Sequence, residues 1–186
     1  MNDIEIAKEI ALGNQIVFED FFNQHKLKVM NLCYGMTHNS DCAEDLVQDI
    51  FIEIYSSAKN FQGKSKLSTW LYRIAFNKTV NYLRKEKIKK LFVNFETSKH
   101  NLQSDNRSDF SLEEKEKIET LHKVIDKLPS KQKQAIILFV YNELPQKEIA
   151  EIMNCSLASV EVLIHRAKKL IKNKTDIIYG NAIEKG

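Results

Sequence analysis

Glycine and proline are scarce in this chain, at 5 and 2 of 186 residues. An all-β protein needs far more turn residues than that, so long helices are expected. Cysteine is also rare. Cys33, Cys42 and Cys155 are odd in number, and none stands in a C-x-x-C pair or at zinc-type spacing from histidine. That argues against a disulfide framework and a metal knuckle, and fits a reducing cytoplasm. An apolar run of bilayer length is missing too: Met1 to Ile10 interleaves Asp3, Glu5 and Glu9 with its apolar residues. Neither secretion nor membrane insertion is expected. With no Gly-rich phosphate loop, His/Cys cluster or nucleophile elbow, no catalytic residue, metal or cofactor is expected.

What is present is a helical protein with a core. Hydrophobic residues make up 43% of the chain, enough for one ordinary domain or two small helical ones. The net charge of +3 is modest, but its distribution is not. Asp41, Glu44, Asp45, Asp49 and Glu53 occur with no base among them. From Lys64 to Lys90 the bases Lys64, Lys66, Arg73, Lys78, Arg84, Lys85, Lys87, Lys89 and Lys90 meet only Glu86. An acidic helix followed by a basic one has two faces suited to different partners.

Apolar residues Ile16, Val17, Phe21, Phe22, Leu27, Met30, Leu32 and Cys33 recur at three- and four-residue steps and predict a helix over about Gln15 to Met36. A second should start after Asn39, capped by Ser40 or Asp41, with Glu44 completing a capping box before the row Leu46, Ile50, Phe51, Ile54 and Tyr55. Phe61 to Ser65 reads as a loop. A third helix, about Ser68 to Lys90, carries Trp70, Leu71, Ile74, Ala75, Val80 and Leu83 on its core side and the bases on the other. Phe92 to Phe110 is polar and reads as a flexible linker. Beyond it, Ser111 and Glu114 form another capping-box pair, Leu128-Pro129 ends that helix, and three segments follow at roughly Ser130 to Tyr141, Pro145 to Met153 and Leu157 to Lys172.

The last two segments are separated by Asn154, Cys155 and Ser156 alone. A helix-turn-helix needs a small residue where the helices cross and a residue tolerant of positive φ at the turn; Ala150 and Asn154 supply them. Val160, Ile164, Ala167 and Ile171 form the inward row. Ser159, Glu161, Val162, His165, Arg166, Lys168, Lys169 and Lys172 occupy the outer face, able to meet base edges near its start and phosphates toward its end. The plain alternative is a helical hairpin with a solvated polar face.

Taken together, the segments resemble the extracytoplasmic-function (ECF) sigma factors of the sigma-70 family, from about Ile10 to Lys174. Ala43-Glu44-Asp45-Leu46-Val47-Gln48-Asp49-Ile50-Phe51 is similar to that family's helix for the β′ clamp helices of RNA polymerase. Phe61 to Ser65 and Ser68 to Asn77 look like its segment for reading and melting the upstream edge of the bubble. Leu128-Pro129, Glu148 to Met153 and His165-Arg166-Ala167 resemble its promoter-reading domain. The resemblance implies an all-α fold of two small helical domains: region 2 over 1–91, a linker over 92–111, a region 4 helix-turn-helix over 112–175 and a tail over 176–186.

It further implies core-polymerase contacts at Asp45, Leu46, Gln48, Asp49 and Phe51. Minus-ten contacts fall at Phe61, Lys64, Arg73, Asn77, Lys78, Asn81 and Arg84, with Trp70 in the core. Minus-thirty-five contacts fall at Ser159, Glu161, Val162, His165, Arg166 and Lys169. The implied partners are core polymerase (β′ clamp helices and β flap), promoter DNA in duplex and single-stranded form, and an anti-sigma factor; the implied place is the cytoplasm. Val160-Glu161-Val162-Leu163 departs from the family's usual basic, small polar, basic pattern. Glu161 cannot neutralise a phosphate but can accept from a cytosine amino group, so the promoter preference should differ. A dimeric helix-turn-helix regulator and a nucleic-acid enzyme remain the rival readings.

Overall fold

The structure is a computed structural model that describes residues 1–93 and 111–183. Its regular elements are α1 (Asp3–Ala11), α2 (Gln15–Thr37), α3 (Ser40–Ser57), a 3-10 turn (Ala58–Asn60), α4 (Leu67–Val93), α5 (Leu112–Asp126), α6 (Ser130–Val140), α7 (Gln146–Met153) and α8 (Leu157–Ile183). They form two compact units, one holding α1 to α4 and the other α5, α6, α8 and the body of α7.

Asparagine begins each of the first three helices, because its short amide can take the backbone N–H groups that a helix start leaves unpaired. Asn2 accepts from Ile4 and Glu5 at 3.1 and 3.0 Å, while the Glu5 carboxylate accepts from the Asn2 N–H at 2.8 Å, a full capping box. Asn14 accepts from Val17 at 3.3 Å. Asn39 accepts from Cys42 at 2.8 Å. The cap of α3 is therefore Asn39, not Ser40 or Asp41 as expected; those two residues are already helical.

The first unit packs α2, α3 and α4 against one another around Val29, Leu32, Cys33, Ile50, Ile54, Leu71 and Ala75, all at 0% exposure. Each large aliphatic side chain so buried contributes roughly 1.5–3 kcal/mol. Thr79 is a polar residue buried among them. The Thr79 hydroxyl donates to the Ala75 carbonyl at 2.8 Å and lies 3.5 Å from the Cys33 sulfur, so its burial leaves no orphaned donor.

In the second unit the core is drawn from Val124 and Ile125 of α5, Leu128 just after it, Ala135 to Leu138 of α6, Ile149 of α7, and Val160, Ile164 and Ala167 of α8. Two helices overrun their expected ends: α4 takes in Phe92 and Val93, and α8 continues past Lys172 to Ile183. The rest of the expected linker, 94–110, lies outside the described residues, as does the Glu114 side chain of the second expected capping box.

Candidate nucleic-acid interface

The turn between α7 and α8 forms as steric reasoning requires. Ala150 is buried at 8% exposure and Asn154 holds φ at +50°. The Cys155 N–H donates to the Ala150 carbonyl at 3.0 Å, the six-to-one bond that closes a helix through a left-handed residue. Ser156 then starts α8 by accepting from the Ser159 N–H at 3.2 Å.

From this start α8 sorts its residues by face. Val160, Ile164 and Ala167 are buried and Ile171 half-buried, as the inward row predicts. Ser159, Glu161, Val162, His165, Arg166 and Lys169 are all exposed. Lys168 is exposed with them and holds its ammonium 4.5 Å from the centre of the Phe139 ring of α6, a cation–π contact that tethers it.

In the first unit Arg73, Asn77, Asn81 and Arg84 are exposed on α4. Their spacing of four, four and three residues places them in one stripe. The Arg84 guanidinium donates to the Asn81 amide oxygen at 3.2 Å. At the head of the stripe lies the 61–66 loop, with Lys64 exposed and the half-buried Phe61 ring 5.5 Å from that of Trp70. Trp70 was expected in the core. It is only half-buried, because residue 70 lies at the edge of the inward row of α4 and packs on the loop aromatic.

Lys78 does not lie on that stripe. One step round from Asn77, it turns to α3, donates to the Asp49 carbonyl at 3.0 Å, and lies 3.3 Å from the Glu53 carboxylate and 3.7 Å from that of Asp49. The basic helix thus uses one of its own cations against the acidic helix.

On α3 the expected contact set divides. Asp45, Gln48 and Asp49 are exposed, whereas Leu46 and Phe51 are buried at 6% and 3% exposure. Those two fall in the row Ala43, Leu46, Val47, Ile50, Phe51 and Ile54 that faces α2 and α4. Ile52, 67% exposed, completes the stripe of Asp45, Gln48 and Asp49. It stands in no expected contact set, although its position outside the three-and-four row is the signal for an outward face.

Cys33 and Cys42 are not poised for chemistry. Burial drives the Cys33 thiol up to about 11 despite its hydrogen bond to Thr79. Burial also raises Cys42, against the lowering effect of its hydrogen bond with Tyr82, and that same bond is the main reason the Tyr82 hydroxyl is raised. A raised thiol is a poor nucleophile. Among the described residues no group of three His, Cys, Asp or Glu side chains is placed to hold a metal ion, and no helix is long and apolar enough to cross a membrane.

Residues 21–88 match the family described as Sigma-70 region 2, and residues 118–171 match Sigma-70, region 4. The chain is 34% identical over 175 residues to the ECF RNA polymerase sigma factor SigW of Bacillus subtilis, covering 90% of this chain and 93% of that one. It is 31% identical to the ECF RNA polymerase sigma-E factor of Escherichia coli K12, covering 94% of each. Among solved structures, CnrH in complex with the cytosolic domain of CnrY aligns at a TM-score of 0.72 with 20% identity, over 94% of this chain and 97% of that one. RpoE of Bartonella quintana, crystallised with the anti-sigma factor NepR, aligns at 0.69 with 19% identity, over 86% and 97%.

Proposed function

We infer the mechanism from one premise: the chain belongs to the sigma-70 family as an ECF sigma factor, a transcription-initiation factor that directs RNA polymerase to promoters. It acts in the cytoplasm as a non-catalytic subunit. Region 2, over 1–91, joins core polymerase and the minus-ten element; region 4, over 112–175, reads the minus-thirty-five duplex; residues 92–111 link them.

The observation that carries this assignment is that α4 and α8 each present an exposed polar stripe backed by a buried, largely apolar one. On α8, Ser159, Glu161, Val162 and His165 meet base edges, while Arg166 and Lys169 meet phosphates. On α4, Arg73 and Arg84 meet phosphates along the separating strand, and Asn77 and Asn81 offer amides to bases. The Phe61 loop holds an extruded base. Unpairing costs a few kcal/mol, and stacking on protein returns about 1–3 kcal/mol per base, so one or two captured bases suffice to open the duplex locally without ATP.

The acidic stripe of α3 docks on the polymerase clamp helices. Ile52 supplies the apolar contact at its centre, while Asp45, Gln48 and Asp49 set orientation. Leu46 and Phe51 support that stripe from within. Because RpoE was solved with the anti-sigma factor NepR, and CnrH with the cytosolic domain of CnrY, an anti-sigma factor is assigned as the controlling partner here too.

Run-off transcription with purified core enzyme on a genomic promoter library tests the proposal. Asp45→Ala should weaken core binding, and Arg166→Ala should weaken promoter selection with core binding intact. A chain that never associates with core polymerase, or a mixture that initiates nowhere, refutes it. Tight binding of a palindromic duplex by a dimer without polymerase favours the regulator reading instead.

A further inference from the structure

We propose that α1 is a brace for the base-capturing loop and that Asp3 is its positioning residue; this rests on the promoter-melting function assigned above. The region 2 match begins at residue 21, so α1 lies ahead of it. The helix is nonetheless anchored, with Ala7 and Ile10 buried at 3% and 1% exposure and its start pinned by the Asn2–Glu5 capping box.

Two contacts run from its first turn to the loop. The Leu67 N–H, at the head of α4, donates to the Asp3 carboxylate at 2.7 Å across 64 residues of sequence. The first turn of α4 holds no acidic residue of its own, so a carboxylate from α1 supplies the negative charge that a helix start favours. Next to it, Ile4 packs on Gly63, where φ is +66° and a Cβ would lie 2.8 Å from the Ile4 Cδ1. A side chain at this left-handed residue would be strained and would have to push the Ile4 methyl aside. Phe61, at the other end of the loop, rests on Trp70. The loop is therefore fixed at Phe61, Gly63 and Leu67, and α1 provides two of the three fixings.

A pocket for one unstacked base needs its walls held in place before the base arrives, since ordering them on binding takes free energy from capture. Asp3 touches no DNA in this scheme. It acts by keeping the 61–66 backbone in the shape that distinguishes one base from another.

The test uses complete polymerase holoenzyme on a promoter that the wild type opens, with the four bases placed in turn at the captured position. Permanganate reactivity of bubble thymines reports opening. Asp3→Ala and Ile4→Ala should bind core within about twofold of wild type, yet open the preferred promoter about fivefold more slowly, the effect of a lost helix cap, and discriminate less among the four bases. Asp3→Asn keeps an acceptor oxygen and should recover most of both. In the free protein, amide exchange across residues 61–67 should quicken in Asp3→Ala and return toward wild type in Asp3→Asn.

Unchanged exchange in Asp3→Ala overturns the brace. Faster exchange with wild-type opening and discrimination overturns the link to base capture, as does an equal slowing on all four bases that Asp3→Asn fails to relieve. If the wild type opens no promoter, the sigma-factor reading fails and base capture with it, while exchange still decides the brace.

Discussion

Removing Arg73 and Arg84 together should flatten the salt dependence of single-strand binding, whereas removing Lys78 should not. The two arginines are exposed and lie on one stripe of α4, about 16 Å apart at 1.5 Å per residue. That span matches several phosphates of one strand. Each phosphate neutralised on a single strand contributes about 0.7 to the slope of log K against log salt. Between 50 and 200 mM salt, each lost contact removes about 2.6-fold from the salt-induced fall in affinity, so the double variant should lose about sevenfold less than wild type. Lys78 is also a cation and only one residue from Asn77, but its ammonium is held by Asp49 and Glu53. Lys78→Ala should keep the wild-type slope and cost at most about 1 kcal/mol of stability, because its partners are largely solvent-screened. The assay is fluorescence titration of holoenzyme with a labelled minus-ten non-template oligonucleotide. A wild-type slope in the double arginine variant, or a flattened one in Lys78→Ala, would falsify the assignment of this face.

The remaining expectations concern packing and protonation. Asn154→Val places a β-branched residue at φ +50° and should cost about 1–2 kcal/mol, while Asn154→Gly should be neutral or mildly stabilising; equal melting of all three in calorimetry contradicts the turn argument. Ile52→Asp should weaken core-polymerase binding about tenfold or more while shifting stability by no more than about 0.5 kcal/mol, in contrast to buried Leu46→Asp, which should unfold the first unit. Binding that survives Ile52→Asp removes that residue from the interface. For Cys33 the neutral thiol is the form favoured by folding, since its pKa rises from 9.0 to about 11. Its contribution is therefore fully present below pH 9.0 and is lost as pH climbs toward about 11, an effect of order 2–3 kcal/mol. Cys33→Ala should remove that part of the alkaline decline in denaturant midpoints, and an unchanged decline counts against it.

The carboxy-terminal half was the more legible of the two. Ala150 and Asn154 answer to a local steric rule, and the row from Val160 to Ala167 follows from helical period alone, so both could be placed without tertiary information. The start of α3 could not be placed so closely, because Asn39, Ser40 and Asp41 are all competent caps and only backbone conformation selects among them. Lys78 illustrates a second limit. Sequence assigns it to a basic helix, but its partner carboxylates come from another element, and a single step of about 100° around the helix decides which surface receives it. The half-burial of Trp70 is not legible from its apolar character alone, since exposed apolar atoms are ordinary on protein surfaces. Helix α1 has only nine residues, and its contacts to Gly63 and Leu67 have no sequence signature.

The bond from Asp3 to Leu67 spans 64 residues, and a tie of that range forms only after the intervening chain has collapsed. Loop closure costs grow slowly with length but are incurred before so distant a contact can repay them. During refolding, then, the α2–α3–α4 bundle should assemble first and the Gly63 segment should acquire its final form last. A half-finished molecule would carry a serviceable polymerase-docking helix with an unset DNA-opening loop, and could occupy the enzyme without starting a transcript.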